Sequence, residues 1–288
     1  LCLIVANGYQ GTGLLVSLGS GLANVFLDYY FIAVCNMGVA GAAVATGIGY
    51  FIAAVFGLYY FARHREAPLH FVKPRASMQT LMRAMTNGSS EMVSNLSTSV
   101  TTFLFNIIMM RLIGPDGVAA ISILLYLDFV LIAINLGYSI GVAPLFSYNY
   151  GSGDCRKLKK LFRISLYFCT SVGVVMTAGT VLFADWLASV FSPAGSAVHA
   201  LAATGLRIFA VSYLFKGFSI YTSALFTAFG NGTLSAILSF MRTLILLVSA
   251  ILLFSSLFGI TGVWSATPAA ETIAFLLAAF LAWKYGKV

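Results

Sequence analysis

Charge is what this sequence has least of. Asp, Glu, Lys and Arg make up 8% of its 288 residues, against about 25% in an ordinary soluble domain. So few charged groups cannot coat a water-facing surface. The 60% of hydrophobic residues and the mean hydropathy of +0.96 describe apolar side chains that must face lipid or one another. Cysteine is scarce too. Cys2, Cys35, Cys155 and Cys169 show no C-x-x-C spacing and no companion histidine, so neither a zinc site nor a disulfide framework can be argued, and packing is the reading. The histidines, His64, His70 and His199, all fall in polar connections. Without a nucleophile beside a base, or metal ligands at helical spacing, a membrane enzyme is not expected. No filter-like repeat argues for a channel. Leu1 stands inside an apolar run with no basic leader and no small-residue cleavage site. The chain therefore does not open with a signal peptide, and it reads as truncated at its start.

What is present is a succession of apolar runs long enough to cross a bilayer. Eight are read, near 12–35, 39–62, 81–112, 117–148, 158–191, 200–228, 233–257 and 261–283. Turn chemistry separates them at Cys35-Asn36-Met37-Gly38, Gly114-Pro115-Asp116-Gly117, Ser192-Pro193-Ala194-Gly195 and Gly230-Asn231-Gly232. The fold class is all-α, polytopic, in the cell (inner) membrane.

Orientation follows from the basic residues. Arg63, Arg65, Lys73, Arg75 and Arg83 surround one connection; Arg156, Lys157, Lys159, Lys160 and Arg163 surround another; Lys284 and Lys287 follow the last span. In an eight-span chain all three lie on one side, which is cytoplasmic by the positive-inside rule. The net charge of +8 is thereby a matter of topology, and no nucleic-acid partner is expected. The polar stretch 63–80, with Pro68 and Pro74, reads as a linker between two bundles.

The chain echoes itself. Gly11-Thr12-Gly13-Leu14 opens the first span as Gly230-Asn231-Gly232-Thr233-Leu234 opens the seventh, and Gly38-Val39-Ala40 opens the second as Gly262-Val263-Trp264 opens the eighth. The offset is roughly 222 residues. Four spans precede the second copy and none the first, so about four more are expected upstream, making twelve in two six-helix bundles.

The segment Asn24-Val25-Phe26-Leu27-Asp28, followed by Gly38-Val39-Ala40-Gly41-Ala42-Ala43-Val44-Ala45-Thr46, resembles the fifth and sixth helices of the multidrug and toxic compound extrusion (MATE) transporters. Ser147-Tyr148-Asn149-Tyr150-Gly151-Ser152-Gly153-Asp154 resembles the end of that family's eighth helix, and Ala228-Phe229-Gly230-Asn231 the approach to its eleventh. Asn87-Gly88-Ser89-Ser90-Glu91 with Met109-Met110-Arg111 is similar to a bacterial multidrug-type branch. The resemblance covers essentially the whole chain, from helix five to helix twelve. It implies two lobes around a cleft, with export of organic compounds driven by inward protons or sodium. In its terms, residues 1–62 are the last two helices of the amino-terminal lobe, 63–80 the cytoplasmic linker, and 81–288 the complete carboxy-terminal lobe.

Four carboxylates lie inside spans: Asp28, Glu91, Asp128 and Glu271. Each costs roughly 2.5–3.5 kcal/mol at mid-bilayer even on lenient insertion scales. Ser17, Ser20, Asn24 and Asp28 form one helical stripe; Asn87, Glu91, Asn95, Thr98, Thr102 and Asn106 form another; Asp128 and Asn135 share a face of the fourth span. Such stripes cannot face lipid. They line a wet cavity or glue helices together, the second reading making Lys216 a buried partner for one carboxylate. Arg242 is too deep for a simple topology signal and is expected to pair or to snorkel. In a cavity, desolvation favours the neutral acid and an entering cation favours the carboxylate, so proton and cationic substrate compete.

The resemblance assigns Asn24 and Asp28 to a cation-linked network of the amino-terminal lobe and makes Glu91 the nearest equivalent of a coupling acid on the seventh helix. Lys216 stands where other branches carry an acid, which favours protons over sodium. The expected substrate cavity comprises Asn87, Asn95, Asp128, Asn135, Lys216 and Glu271, with Tyr126, Tyr138 and Phe218 offering aromatic faces to an organic cation. No cofactor or metal beyond the coupling ion is expected, and a monomer in the bilayer is expected. The competing function is a flippase for lipid-linked saccharides or peptidoglycan precursors. That would call for Arg and Lys around a pyrophosphate, whereas the embedded cations Arg207, Lys216 and Arg242 are outnumbered by the four acids.

Overall fold

The computed structural model describes residues 2–64, 69–70 and 77–285, apart from the side chains of Cys2, Asn87, Ser90, Glu91 and Tyr285. Every regular element among them is helical. The chain divides into two compact units, Leu1–Ala76 and Ser77–Val288, so the break falls within the stretch read as the linker, part of which lies outside the described residues.

The first unit is a helical hairpin. A short α1 (Cys2–Ala6) leads into α2 (Gln10–Tyr29), which runs on as a π turn over Tyr30–Val34. Asn36 and Gly38, both at φ 54°, reverse the chain into α3 (Gly38–Arg63). The two helices meet because α3 presents small residues at a spacing of four: Gly41, Ala45 and Gly49 are buried. A Cβ on Gly49 would stand 3.2 Å from Cβ of Asn24, so the polar stripe of α2 turns toward α3. Asn7 fastens the other end, its amide nitrogen donating to the Leu69 carbonyl and its Oδ1 accepting from the Leu69 N–H, both at 2.9 Å.

In the second unit α4 (Met78–Leu112), α5 (Pro115–Gly151) and α6 (Cys155–Leu182) are long, and α7 (Ala184–Phe191) is short. The run read as one span over 158–191 is therefore two helices. Phe183, at φ −106° and ψ 20°, leaves the helical basin between them. The run read over 200–228 is interrupted as well: α8 (Ala197–Phe209) and α9 (Tyr213–Ala228) flank a 3₁₀ turn at Ala210–Ser212. The Thr177 hydroxyl donates to the Ala210 carbonyl at that turn, at 3.0 Å. Then come α10 (Gly232–Phe240), a π segment at Met241–Leu246, and a final α11 (Leu247–Tyr285). Side-chain caps open several of these helices: Ser77, Asp154, Ser196 and Asn231 each accept from the backbone N–H three residues on.

The last helix is two arms. Gly259, at φ 58° and ψ −129°, breaks it. Arg242 and Glu271 are 29 positions apart, which in a straight helix is about 43 Å, yet their side chains are 3.1 Å apart. The chain must turn back on itself near Gly259. Seven described stretches are long and apolar enough to cross a membrane, the last spanning Gly232–Lys284. Folding that stretch at Gly259 gives eight, with the break where the sequence reading put it.

The main core of this unit gathers Phe105, Met109, Leu124, Leu206, Phe209, Tyr213 and Trp264 from five helices. Gly205 makes room for it, since a Cβ there would meet both Leu124 and the Trp264 ring at 3.1 Å.

Candidate functional site

Several of the polar groups that the sequence places inside spans gather into a cluster in each unit. In the first unit Asn24 and Asp28 stand one turn apart on α2. Asn24 Nδ2 and Asp28 Oδ1 are buried and have no hydrogen-bond partner, and among the described residues no cation pairs with Asp28. A buried carboxylate oxygen with nothing to accept is costly.

The second unit holds a chain of alternating charge. Lys216 on α9 donates to both oxygens of Asp128 on α5, at 2.7 and 2.9 Å. Its ammonium is 3.9 Å from Oε1 of Glu271, on the second arm of α11. Arg242, on the π segment, donates through Nε to both oxygens of Glu271 at 3.2 and 3.1 Å. Asp128, Lys216 and Glu271 are 7%, 4% and 3% exposed, so these are buried pairs, each charge matched by its neighbour. The Phe209 ring stands 5.5 Å from the ammonium, and the geometry is that of a cation–π contact. Close approach of α5 and α9 depends on Gly217, where a Cβ would lie 2.7 Å from Oδ1 of Asn135.

Two hollows adjoin the cluster. One of about 70 Å³ is bounded by Asp128, Lys216 and Arg242 together with Thr98, Thr102 and Thr267. Thr267 is 1% exposed and its hydroxyl has no partner. The other, about 130 Å³, shares Thr98 and Arg242 and adds Asn95, Ser223, Thr227 and Ser239. Ser223 links Ser235 and Ser239 at 3.0 and 2.8 Å. Pockets for drug-sized ligands run to roughly 300–1,000 Å³, and a water occupies about 30 Å³. These hollows suit water or a bare ion.

The structure thus brings Asp128, Lys216 and Glu271 of the expected cavity together, and adds Arg242. Asn95 borders the wider hollow. Asn135 is turned elsewhere, its Nδ2 donating to the Leu131 carbonyl at 3.0 Å. The aromatic residues lie away from both hollows. Tyr126 is 66% exposed and stacks on Phe191; Tyr138 stacks on Phe168 and shares a hydrogen bond of 3.0 Å with Ser165; Phe218 packs edge-on against Phe275. The side chains of Asn87 and Glu91 lie outside the described residues. Which acid pairs with which base was not readable from the sequence, since Asp128 and Lys216 are 88 positions apart and no local pattern connects them.

Comparison with known proteins is consistent along the chain. A family model described as MatE matches residues 92–252. A multidrug export protein MepA from Staphylococcus haemolyticus is 27% identical over 274 residues, covering 93% of this chain and 58% of that protein. One from Staphylococcus saprophyticus is 25% identical over 269 residues, covering 91% and 57%. The chain thus spans somewhat more than half the length of these relatives. Among solved structures, an outward-facing multidrug resistance MATE family transporter of the MOP superfamily superposes with a TM-score of 0.87 at 24% identity, over 98% of this chain and 64% of that one. A MOP superfamily transporter from Pyrococcus furiosus, described as having a binding pocket of reverse polarity, gives 0.85 at 23% identity, over 98% and 64%. At these identities the superpositions establish the fold.

Proposed function

The chain belongs to the MatE family, and from that premise we propose that the complete protein is a secondary active exporter of cationic or amphipathic organic compounds, driven by inward protons. The name multidrug export protein borne by relatives matched over about nine-tenths of this chain supports the reading, and the relatives being transporters argues against an enzyme. The observation that carries it is the contrast among the acids. Asp28 has a buried oxygen and, among the described residues, no cation beside it, whereas Asp128 and Glu271 are each held by a base. An acid already neutralised by a fixed neighbour offers little to an arriving ion; an unpaired one offers its whole charge.

Asp28, with the Asn24 amide one turn below it, is therefore the exchanging group. Protonation from outside neutralises the carboxylate and weakens its hold on a cationic compound, which leaves. Loss of the proton to the cytoplasm restores the charge, and the next cation enters. Alternating access supplies the two exposures, and one protomer in the bilayer suffices. Glu91 is proposed as a second coupling acid, on the family resemblance. The flippase reading is not favoured, because the embedded cations Arg207, Lys216 and Arg242 are each engaged by a carboxylate.

The test uses the complete protein in vesicles loaded with a fluorescent organic cation. Efflux is expected to stop when the proton gradient alone is collapsed and to continue when the sodium gradient alone is. Asp28→Asn is expected to abolish efflux while leaving membrane insertion intact. Undiminished efflux by that variant would remove the mechanism.

A further inference from the structure

Four groups close around one point in the second unit: the two oxygens of Asp128 at 2.7 and 2.9 Å, Oε1 of Glu271 at 3.9 Å, and the Phe209 ring at 5.5 Å. Oxygen anions on two sides and an aromatic face on a third make the surroundings of a monovalent cation. The hydroxyl of Thr267, buried and unpartnered, lines the same 70 Å³ hollow as Asp128 and Lys216. What occupies the point is the chain's own ammonium.

We propose that Lys216 is the resident cation of this unit, its Nζ standing in the place that a free monovalent ion would otherwise take between Asp128 and Glu271. The four helical segments supplying the cluster are thereby neutralised from within. Asp128⁻, Lys216⁺, Glu271⁻ and Arg242⁺ sum to zero, so an incoming sodium ion would add an uncompensated buried charge and is excluded. One side chain thereby keeps this buried cluster from taking up an exchangeable metal ion. Removing the ammonium while keeping its apolar stem leaves the cluster with one net negative charge. Asp128 is left without a partner, Arg242 still holds Glu271, and the carboxylate oxygens with the Thr267 hydroxyl become ligands for a bare ion of sodium's size.

The inference does not depend on efflux, and its readout is stability. The complete protein is purified in detergent in the Asp28→Asn background, which removes the acid proposed above for the first unit as a competing site. Its melting temperature is then measured against sodium chloride, with N-methylglucamine chloride holding ionic strength constant. The background protein is expected to be indifferent to sodium. Adding Lys216→Met is expected to produce a saturable rise of several degrees with sodium, and adding Asp128→Asn to that variant is expected to abolish the rise. A Lys216→Met protein that folds but ignores sodium overturns the proposal, as does a sodium response that survives loss of Asp128. If Lys216→Met yields folded protein only in sodium, the proposal is supported. If it fails to fold in either salt while Lys216→Met with Asp128→Asn folds in both, no free ion can replace the ammonium, and the proposal is wrong.

Discussion

Lys216 donates to both carboxylate oxygens of Asp128, at 2.7 and 2.9 Å, across 88 positions of sequence. The contact joins α9 to α5, with both side chains buried. Glu271 and Arg242 extend it to two further segments, so four helical segments are tied by charges that must all be present for any to be tolerated.

Removing one member of such a set costs more than removing two. Glu271→Gln leaves Arg242 buried against a neutral group and is expected to destabilise the protein by about 3–5 kcal/mol, whereas Glu271→Met with Arg242→Met is expected to cost much less than the sum of the single changes. Unfolding in detergent, analysed as a double-mutant cycle, measures the difference; additive costs would show that the pair is not coupled.

Gly217 permits the close approach that makes the Lys216 contact short. A Cβ there would lie 2.7 Å from Oδ1 of Asn135, and the neighbouring helix must give way. Gly217→Val is expected to cost about 1–3 kcal/mol through overpacking, and a melting temperature equal to that of the parent would contradict the packing described.

Gly49 holds α3 against the Asn24 side of α2, with 3.2 Å from a notional Cβ to Cβ of Asn24. Gly49→Val is expected to displace Asn24 and reduce efflux by the complete protein while leaving the amount in the membrane unchanged. Parallel assays of transport and of membrane-inserted protein separate the two effects.

Asp154 caps α6 and lies outside the spans. The Lys157 backbone N–H, and then the Lys157 ammonium at 3.0 Å, hold its carboxyl below the ordinary carboxylate range. A group whose folded pKa is depressed contributes stability above its unfolded value, about 3.9, and loses it as the pH falls through the folded value. Amide exchange in the first turn of α6 is expected to be faster in Asp154→Ala than in the parent at neutral pH, with the difference vanishing as the solution is acidified below that range.

Much of the architecture is local and was legible. The caps at Ser77, Asp154, Ser196 and Asn231 are short polar side chains ahead of apolar runs, and Gly259 sits in the gap read between 257 and 261. The break at Phe183 and the 3₁₀ turn at Ala210–Ser212 were not legible, because no glycine, proline or polar turn cluster marks either place within its long hydrophobic run. Hydropathy reports what a segment is dissolved in. It does not report whether each residue keeps helical angles.

The acids divide along the same line. That Asp28, Asp128 and Glu271 are embedded follows from composition alone, since apolar runs enclose all three, and the cost of placing a charge there marks them as purposeful. That Asp28 meets no cation among the described residues, while Asp128 has Lys216 and Glu271 has Arg242, was decided only by the tertiary structure. Partner choice depends on the rotation and separation of helices far apart in the chain. Those are set by glycines such as Gly217 and by the reversal at Gly259, whose effect appears only once the helices are packed.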